Sequence, residues 1–469
     1  MDTLPDDVLL KIFNSYLNEY LLEIYKDRRE KAWRLLVHVC RRWRSVVFGS
    51  PGHLDLRLVC TGGTRTRDRL DVWPTLPLIV QAGAEPILSM DNIIAALERR
   101  DRVCQINIHA SSSNLEMILV AMQQPFPELT SLWLSQYDRT VAVVPDSFLG
   151  GFAPRLEYLG LDRFLFPGLP KLPLSATHLR YLHLHNIPYS GYISPNAMVT
   201  ILSALTSLEE LKLGFESPRS CPDRATRHPP PKTRSVLPFL SSFSFKGVVE
   251  YLEDFVALID TPRLNETRIN VFNDTEFDTP QFIQFISRSP MSRPLEKAHI
   301  NFRDEAAYVN FLSPKFRHGD LSVEIICRGL DWQVSSVEQV CTSCLTSLYM
   351  PEDLYIYERR HWQREWKGKI ENGPWIELLH PFTAVKNLYL CKEFARRIAP
   401  ALQELVGDRI TEVLPILENI FLEGFESLGS VEEGIGRFIS AREVAGNPIT
   451  ISSWDGSEKF SIMYYYTGR

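Results

Sequence analysis

The chain of 469 residues has no apolar run approaching the roughly 18 residues that a membrane span needs. Its opening stretch, MDTLPDDVLLKIF, carries acid where a secretory leader needs base, and it lacks a continuous apolar core. The expectation is a cytoplasmic or nuclear protein with no membrane partner. Cysteine is sparse: eight residues, at 40, 60, 104, 221, 327, 341, 344 and 391, mostly in apolar surroundings. That usage fits reduced, buried thiols better than a disulfide framework. Excess positive charge is also missing, since 51 basic and 57 acidic residues leave a net charge of −6. With no basic, aromatic-rich sheet in evidence either, no nucleic-acid partner is expected. The chain contains no G-x-S-x-G, no glycine-rich phosphate loop with its lysine, and no H-E-x-x-H. A non-enzyme without cofactor or metal is the resulting expectation.

Two metal or redox candidates fail on spacing. Cys341 and Cys344 form a lone C-x-x-C with no second pair to complete a zinc site, and a thioredoxin-like setting is absent. His183 and His185 alternate along a strand and point to one side, about 7 Å apart by strand rise. Asp162 is the one acid that a neighbouring strand could bring near them.

What is present begins with helices. TLPDDVLLKIFNSYL has a helix start: Thr3 can cap, Pro5 suits the first helical position, and Asp6 and Asp7 favour the positive end of the dipole. Val8, Leu9, Ile12, Phe13, Tyr16 and Leu17 follow at helical spacing. Residues 32–47 repeat the pattern, with Trp33, Leu36, Val37, Cys40, Trp43 and Val47 on one face and Arg41, Arg42 and Arg44 mostly off it. On such a continuous helix His38 and Cys40, two apart, would sit about 200° around the axis and could not work as a pair. The stretch between the two patterns reads as a charged helical connector.

Leucine then recurs in a repeat. LTSLWL (129–134), LEYLGL (156–161), LRYLHL (179–184), LEELKL (208–213) and LSSFSF (240–245) start 27, 23, 29 and 32 residues apart. Looser copies follow at LNETRI (264–269), LEKAHI (295–300), LTSLYM (345–350), VKNLYL (385–390) and LENIFL (417–422). In Leu-x-Leu, period-two alternation turns both leucines to one side of a short strand. Stacked copies would build a parallel sheet, with the chain returning as helix or coil over the leucine side. Helices are predicted at 194–207 and 254–262. The residues opposite the leucines include Trp133, Tyr158, Asp162, Tyr181, His183, His185 and Lys212, a mixture of aromatic and polar groups that suits protein recognition. A competing arrangement lays terminal helices over part of that face. Residues 216–235 read as a proline-rich loop. Trp362 and Trp366, four apart, would share a helix face and pack over a repeat.

LPDDVLLKIFNSYL followed by VCRRWRSVV resembles an F-box over roughly residues 3–48, although its connector is longer and more charged than is typical. The spacing Leu-x-x-Leu-x-Leu resembles a leucine-rich repeat, in an irregular form: where that family places Asn or Cys, Tyr137, Phe164 and Ile187 stand here. Together with WIELLHPFTAVKNLYLCKEFARRIAPALQELV and the tail, the chain resembles the large family of F-box proteins with degenerate leucine-rich repeats in mushroom-forming fungi. The resemblance implies an α/β fold: a helical F-box (1–50), a transition with first irregular repeats (51–125), a leucine-rich-repeat solenoid with a curved parallel sheet (126–430), and a C-terminal cap (431–469). It implies a substrate adaptor of an SCF-type cullin–RING ubiquitin ligase. Leu4, Pro5, Val8, Leu9, Ile12, Phe13, Val39, Cys40 and Trp43 would carry or support docking to a Skp-family adaptor, and the repeat would bind a substrate protein. The alternative is a non-catalytic scaffold working outside ubiquitin ligation.

Overall fold

The computed structural model describes residues 4–19, 26–83, 89–138, 140–166, 175–220, 233–272, 279–290, 296–313, 321–345, 351–358, 371–405, 407–424 and 430–456. The chain divides into two compact units: Met1–Gly191 with Ala204–Leu208, and Tyr192–Ser203 with Glu209–Arg469. No helix among the described residues is long and apolar enough to cross a membrane.

The first unit opens with three helices, α1 (Asp6–Asn18), α2 (Lys26–Val39) and α3 (Arg41–Gly49). Leu9, Phe13 and Leu17 of α1 and Trp33, Leu36 and Val37 of α2 are buried, as the helical spacing predicts. The main sheet of this unit has six described strands: β1 (Leu58–Thr61), β2 (Leu78–Ala82), β3 (Val103–Ala110), β4 (Ser131–Gln136), β5 (Tyr158–Asp162) and β6 (Tyr181–Ile187). Each pairs in parallel with the one before it. Helices α4 (Thr66–Val72), α5 (Met90–Leu97) and α6 (Ser112–Ala121) lie in the connections.

The repeat has a physical grammar. Its first leucine sits in a turn, with Leu129, Leu156 and Leu179 each donating an amide to the carbonyl three residues back. Two residues later the strand begins. One carbonyl then accepts two amides from the next repeat: Thr130 from Glu157 and Tyr158, Glu157 from Arg180 and Tyr181. Leu132, Leu134, Leu159, Leu161, Leu182 and Leu184 all turn to the same side and are buried. Burial of such a side chain contributes about 1.5–3 kcal/mol relative to exposure.

A buried acid joins the helices to the sheet. β1 stands at the end of the strand order, so among the described residues one side of its backbone has no strand to pair with. The Glu30 carboxylate, buried on α2, accepts the amide of Val59 at 2.8 Å and faces Arg34 and Arg69 at 3.4 and 3.3 Å. Trp33 donates its indole N–H to the Arg57 carbonyl at 3.2 Å, and Arg29 reaches the carbonyls of Leu17 and Leu54. Residues expected to form a charged connector thus occupy the strand edge.

The second unit starts with α7 (Pro195–Ser203) and strands β7 (Glu210–Phe215), β8 (Ser242–Gly247) and β9 (Glu266–Phe272), the strands paired in parallel. Helix α8 (Val249–Ala257) starts and ends five residues before the predicted 254–262, and α9 (Pro280–Arg288) follows. The parallel pattern then breaks. Strands β10 (Lys297–Phe302), β11 (Ala307–Leu312) and β12 (Leu321–Ile326) form an antiparallel meander, inserted so that β12 pairs with β9 and β10 with β13 (Asp353–Glu358). Arg303 donates its amide to Ala306 and closes the first hairpin. Beyond α10 (Leu330–Leu345) and α11 (Asn372–Leu379), β14 (Asn387–Leu390), α12 (Lys392–Gln403), β15 (Asn419–Glu423), α13 (Ser430–Val444) and β16 (Thr450–Trp454) restore parallel pairing.

One predicted repeat is corrected. LTSLYM does not open a strand: Leu345 is the buried last residue of α10, residues 346–350 lie outside the described residues, and the strand is Asp353–Glu358. Apolar residues at 330, 334, 337, 341 and 345 keep helical spacing through the leucine, which overrides the local Leu-x-x-Leu match. Trp362, Trp366 and most of the proline-rich loop (221–232) lie outside the described residues. At the C-terminal end the buried Arg442 of α13 donates to the carbonyls of Ile410, Leu414, Pro415 and Leu417 at 3.0–3.5 Å.

Candidate functional site

The nine residues expected to dock an adaptor separate into three groups. Leu9 and Phe13 are interior, and Val8 and Trp43 are half-buried, with the Trp43 ring 4.7 Å from that of Phe13. Leu4, Pro5, Ile12, Val39 and Cys40 face outward. Leu4 is 36% exposed, Ile12 49% and Val39 57%. Leu35, which the sequence reading did not single out, is 63% exposed. Val8 and Ile12 are four apart on α1, with Leu4 just ahead of its first turn, and Leu35 and Val39 are four apart on α2, so each helix presents an apolar row on one side. Arg42 anchors the entry to α1, donating to the Leu4 carbonyl and, at 2.8 Å, to Asp6.

Cys40 needs a correction. The helical spacing puts it in an apolar stripe on one continuous helix from 32 to 47. Instead the helix breaks there: Cys40 is extended (φ −157°, ψ 169°) and exposed, and its Sγ accepts the Trp43 amide at 3.4 Å as the N-cap of α3. Arg44 repairs the break by donating Nε–H to the Val37 carbonyl at 3.0 Å, meeting one of the acceptors that a helix end leaves open. The opposed-face reading of His38 and Cys40 therefore no longer applies.

The second surface lies on the side of β4, β5 and β6 opposite the leucines. Register places Trp133 beside Gly160 and Gly160 beside His183, with Tyr158 beside Tyr181 and Asp162 beside His185. Trp133, Tyr158, Asp162, Tyr181 and His185 are half-buried and His183 is buried. The rings form one cluster: Trp133–Tyr158 at 6.3 Å, Tyr158–Tyr181 at 6.2 Å, Trp133–His185 at 5.7 Å and His183–His185 at 5.8 Å between centroids. Hydrogen bonds fix its geometry. Tyr158 Oη and His183 Nδ1 are 3.0 Å apart, and Trp133 donates to Ser135 Oγ at 3.2 Å. Gly160 is required beneath the indole, because a Cβ there would lie 2.0 Å from Trp133 Cε3. Asp162 accepts from Asn186 at 2.8 Å. Among the described residues no three His, Cys, Asp or Glu side chains converge to hold a metal ion.

In the second unit Lys212 lies on β7 and pairs with Glu210 at 2.8 Å. Sequence reasoning missed the main feature on the side of this unit's sheet opposite the leucines. His299, Tyr355, Tyr389 and Phe421 occupy one register row across β10, β13, β14 and β15. Their rings stack at 4.2, 4.1 and 4.5 Å with planes within 10°, and Trp454 leans on Tyr355 and Tyr389. A polar row runs alongside: Asn387 donates to Asp353 at 2.7 Å, Asn419 to Asn387 at 2.8 Å, and the Thr450 hydroxyl to Asn419. His299 is fully buried, and neither ring nitrogen has a hydrogen-bond partner. Burial first, then the charge of Lys297, pulls its pKa down to about 3. The shared position of His299, Tyr389 and Phe421 within LEKAHI, VKNLYL and LENIFL is a signal visible only when the repeats are compared.

Cys341 and Cys344 are both buried on α10. Burial raises the Cys344 thiol to about 12 and pushes Cys341 well above the ordinary range, so neither supplies thiolate at neutral pH.

A turn, a strand with both leucines on one side, and a parallel neighbour one repeat later define a leucine-rich-repeat architecture. No family profile matches the chain, and no curated protein matches it. Among solved structures it is similar to the leucine-rich repeat-containing protein LegL7 from Legionella pneumophila, at 12% identity over 84% of this chain and 99% of that one, with a TM-score of 0.28. That likeness carries no argument here; the repeat assignment rests on this chain's own strand ladder.

Proposed function

We propose that the chain is the substrate-recognition subunit of an SCF-type cullin–RING ubiquitin ligase, its N-terminal helices docking a Skp-family adaptor and its repeats binding a substrate protein. The observation that carries the reading is the pair of apolar rows on α1 and α2, left outward while the opposite sides of the same helices are buried. Exposed apolar rows on short helices mark a partner surface. The order of motifs, Leu-Pro-Asp-Asp, an apolar helix, then Val-Cys-x-x-Trp, matches the F-box resemblance. The chain would act by proximity, raising the effective concentration of substrate lysines near the conjugating enzyme.

The burial pattern selects the test. Leu9 and Phe13 are interior, so substituting them would confound docking with folding. Ile12→Asp, Leu35→Asp and Val39→Asp change exposed positions. Each should abolish co-purification of a Skp-family adaptor while leaving the melting temperature within a few degrees. Undiminished capture by all three would defeat the reading.

A second reading, a scaffold whose helices serve as an N-terminal cap, is favoured by one observation: Glu30 and Trp33 bind the backbone of β1 and its approach. Proteasome inhibition separates the two. A bound partner that accumulates supports the ligase reading, and one that stays constant supports the scaffold.

A further inference from the structure

We infer that the aromatic face of β4, β5 and β6 takes an extended protein segment carrying arginine at alternate positions. The inference deepens the proposed function by giving the chemistry of the substrate, and it relies on that reading only for the partner being a protein. Three observations converge. The first is charge: the facing positions of β3, β4, β5 and β6 hold no lysine or arginine and one carboxylate, Asp162. A π-rich surface whose facing strand positions carry no cation attracts one, and tryptophan is the strongest such platform. The same lack disfavours nucleic acid, whose phosphates require basic contacts.

The second is an internal precedent. The Arg180 guanidinium already lies over the Tyr181 ring, 5.6 Å from its centroid. The face therefore accommodates a guanidinium, which stacks flat on an aromatic ring as an ammonium cannot. The third is spacing. Trp133, Tyr158 and Tyr181 follow one another at 6.3 and 6.2 Å. Alternate side chains of an extended peptide are about 6.4–6.8 Å apart. With the Tyr181 ring already met by Arg180, a segment crossing the strands would set Arg-x-Arg on Trp133 and Tyr158. Gly160 keeps the indole low enough to serve as the floor.

The test uses the full chain and a fluorescein-labelled, amidated Arg-Ser-Arg-Ser-Arg peptide, followed by anisotropy, with lysine and citrulline versions as controls. The arginine peptide should bind several-fold tighter than the lysine peptide. Citrulline, nearly the same shape without the charge, should bind at least about tenfold more weakly. Trp133→Ala should remove most of the preference and Trp133→Phe part of it. Equal binding of arginine and citrulline peptides, or binding unchanged by Trp133→Ala, would overturn the inference. So would Trp133-dependent binding of single-stranded polyuridylate in place of the peptide. Because the assay contains no adaptor, and Trp133→Ala leaves adaptor capture intact, failure here is distinct from failure of the docking test.

Discussion

His299 supports a prediction with a worked magnitude. Its ring is buried against Tyr355, 4.2 Å away and parallel to it, with neither nitrogen hydrogen-bonded. The folded-state pKa is near 3 against an ordinary 6.5. Below pH 6.5 the unfolded chain therefore takes up a proton that the folded chain refuses. Stability contributed by the neutral imidazole is present in full above 6.5 and is lost as pH falls, until the folded state also protonates near 3. The limiting slope for one group is about 1.4 kcal/mol per pH unit, so between neutrality and pH 5 the loss is about 2 kcal/mol. His299→Phe keeps an aromatic ring in the stack and removes the titration. Urea midpoints of wild type and variant, measured from about pH 7.5 to pH 5, should diverge in the variant's favour by about that amount. A gap that stays constant with pH would refute the reasoning, as would a His299 NMR resonance titrating near 6.5.

Other substitutions probe the repeat and its ends. Glu30→Ala strands the Val59 amide and leaves Arg69 without its carboxylate, and should cost about 1–3 kcal/mol, seen as a lower melting temperature. Arg442→Met removes the donor that four carbonyls share at the C-terminal end. A loss of about 2–3 kcal/mol is expected by chemical denaturation. Gly160→Ala should displace the Trp133 indole at a cost of about 1–3 kcal/mol and red-shift tryptophan emission.

Legibility from sequence followed the strength of periodicity. Leu132 and Leu134, with their equivalents, could be placed because two leucines on a short strand have only one way to share a core. The outward set from Trp133 to His185 followed by alternation alone. The break at Cys40 was not legible, because Leu36, Val37, Trp43 and Val47 keep helical spacing across it. Only the Sγ···H–N cap and the Arg44 contact reveal where the helix ends. β11 and β12 were missed because AYVNFL and LSVEII lack the Leu-x-x-Leu turn that marks the other strands. Glu30 lies in the stretch that reads as a charged connector, and nothing local identifies its acceptor role, since Val59 is 29 residues away. Tyr355, Tyr389 and Phe421 escaped for a different reason: their significance lies in stacking between repeats, which no single repeat displays.

The Glu30–Val59 contact bears on how docking can be tested at all. Removing the first fifty residues would unpair the Val59 amide and the Arg57 carbonyl at the edge of β1, an opening for a strand from another copy. Such a truncation would be drawn into self-association, and its failure to bind an adaptor would say nothing about the helices it lacks. In this chain the same short segment proposed to meet a partner also covers the edge of the sheet.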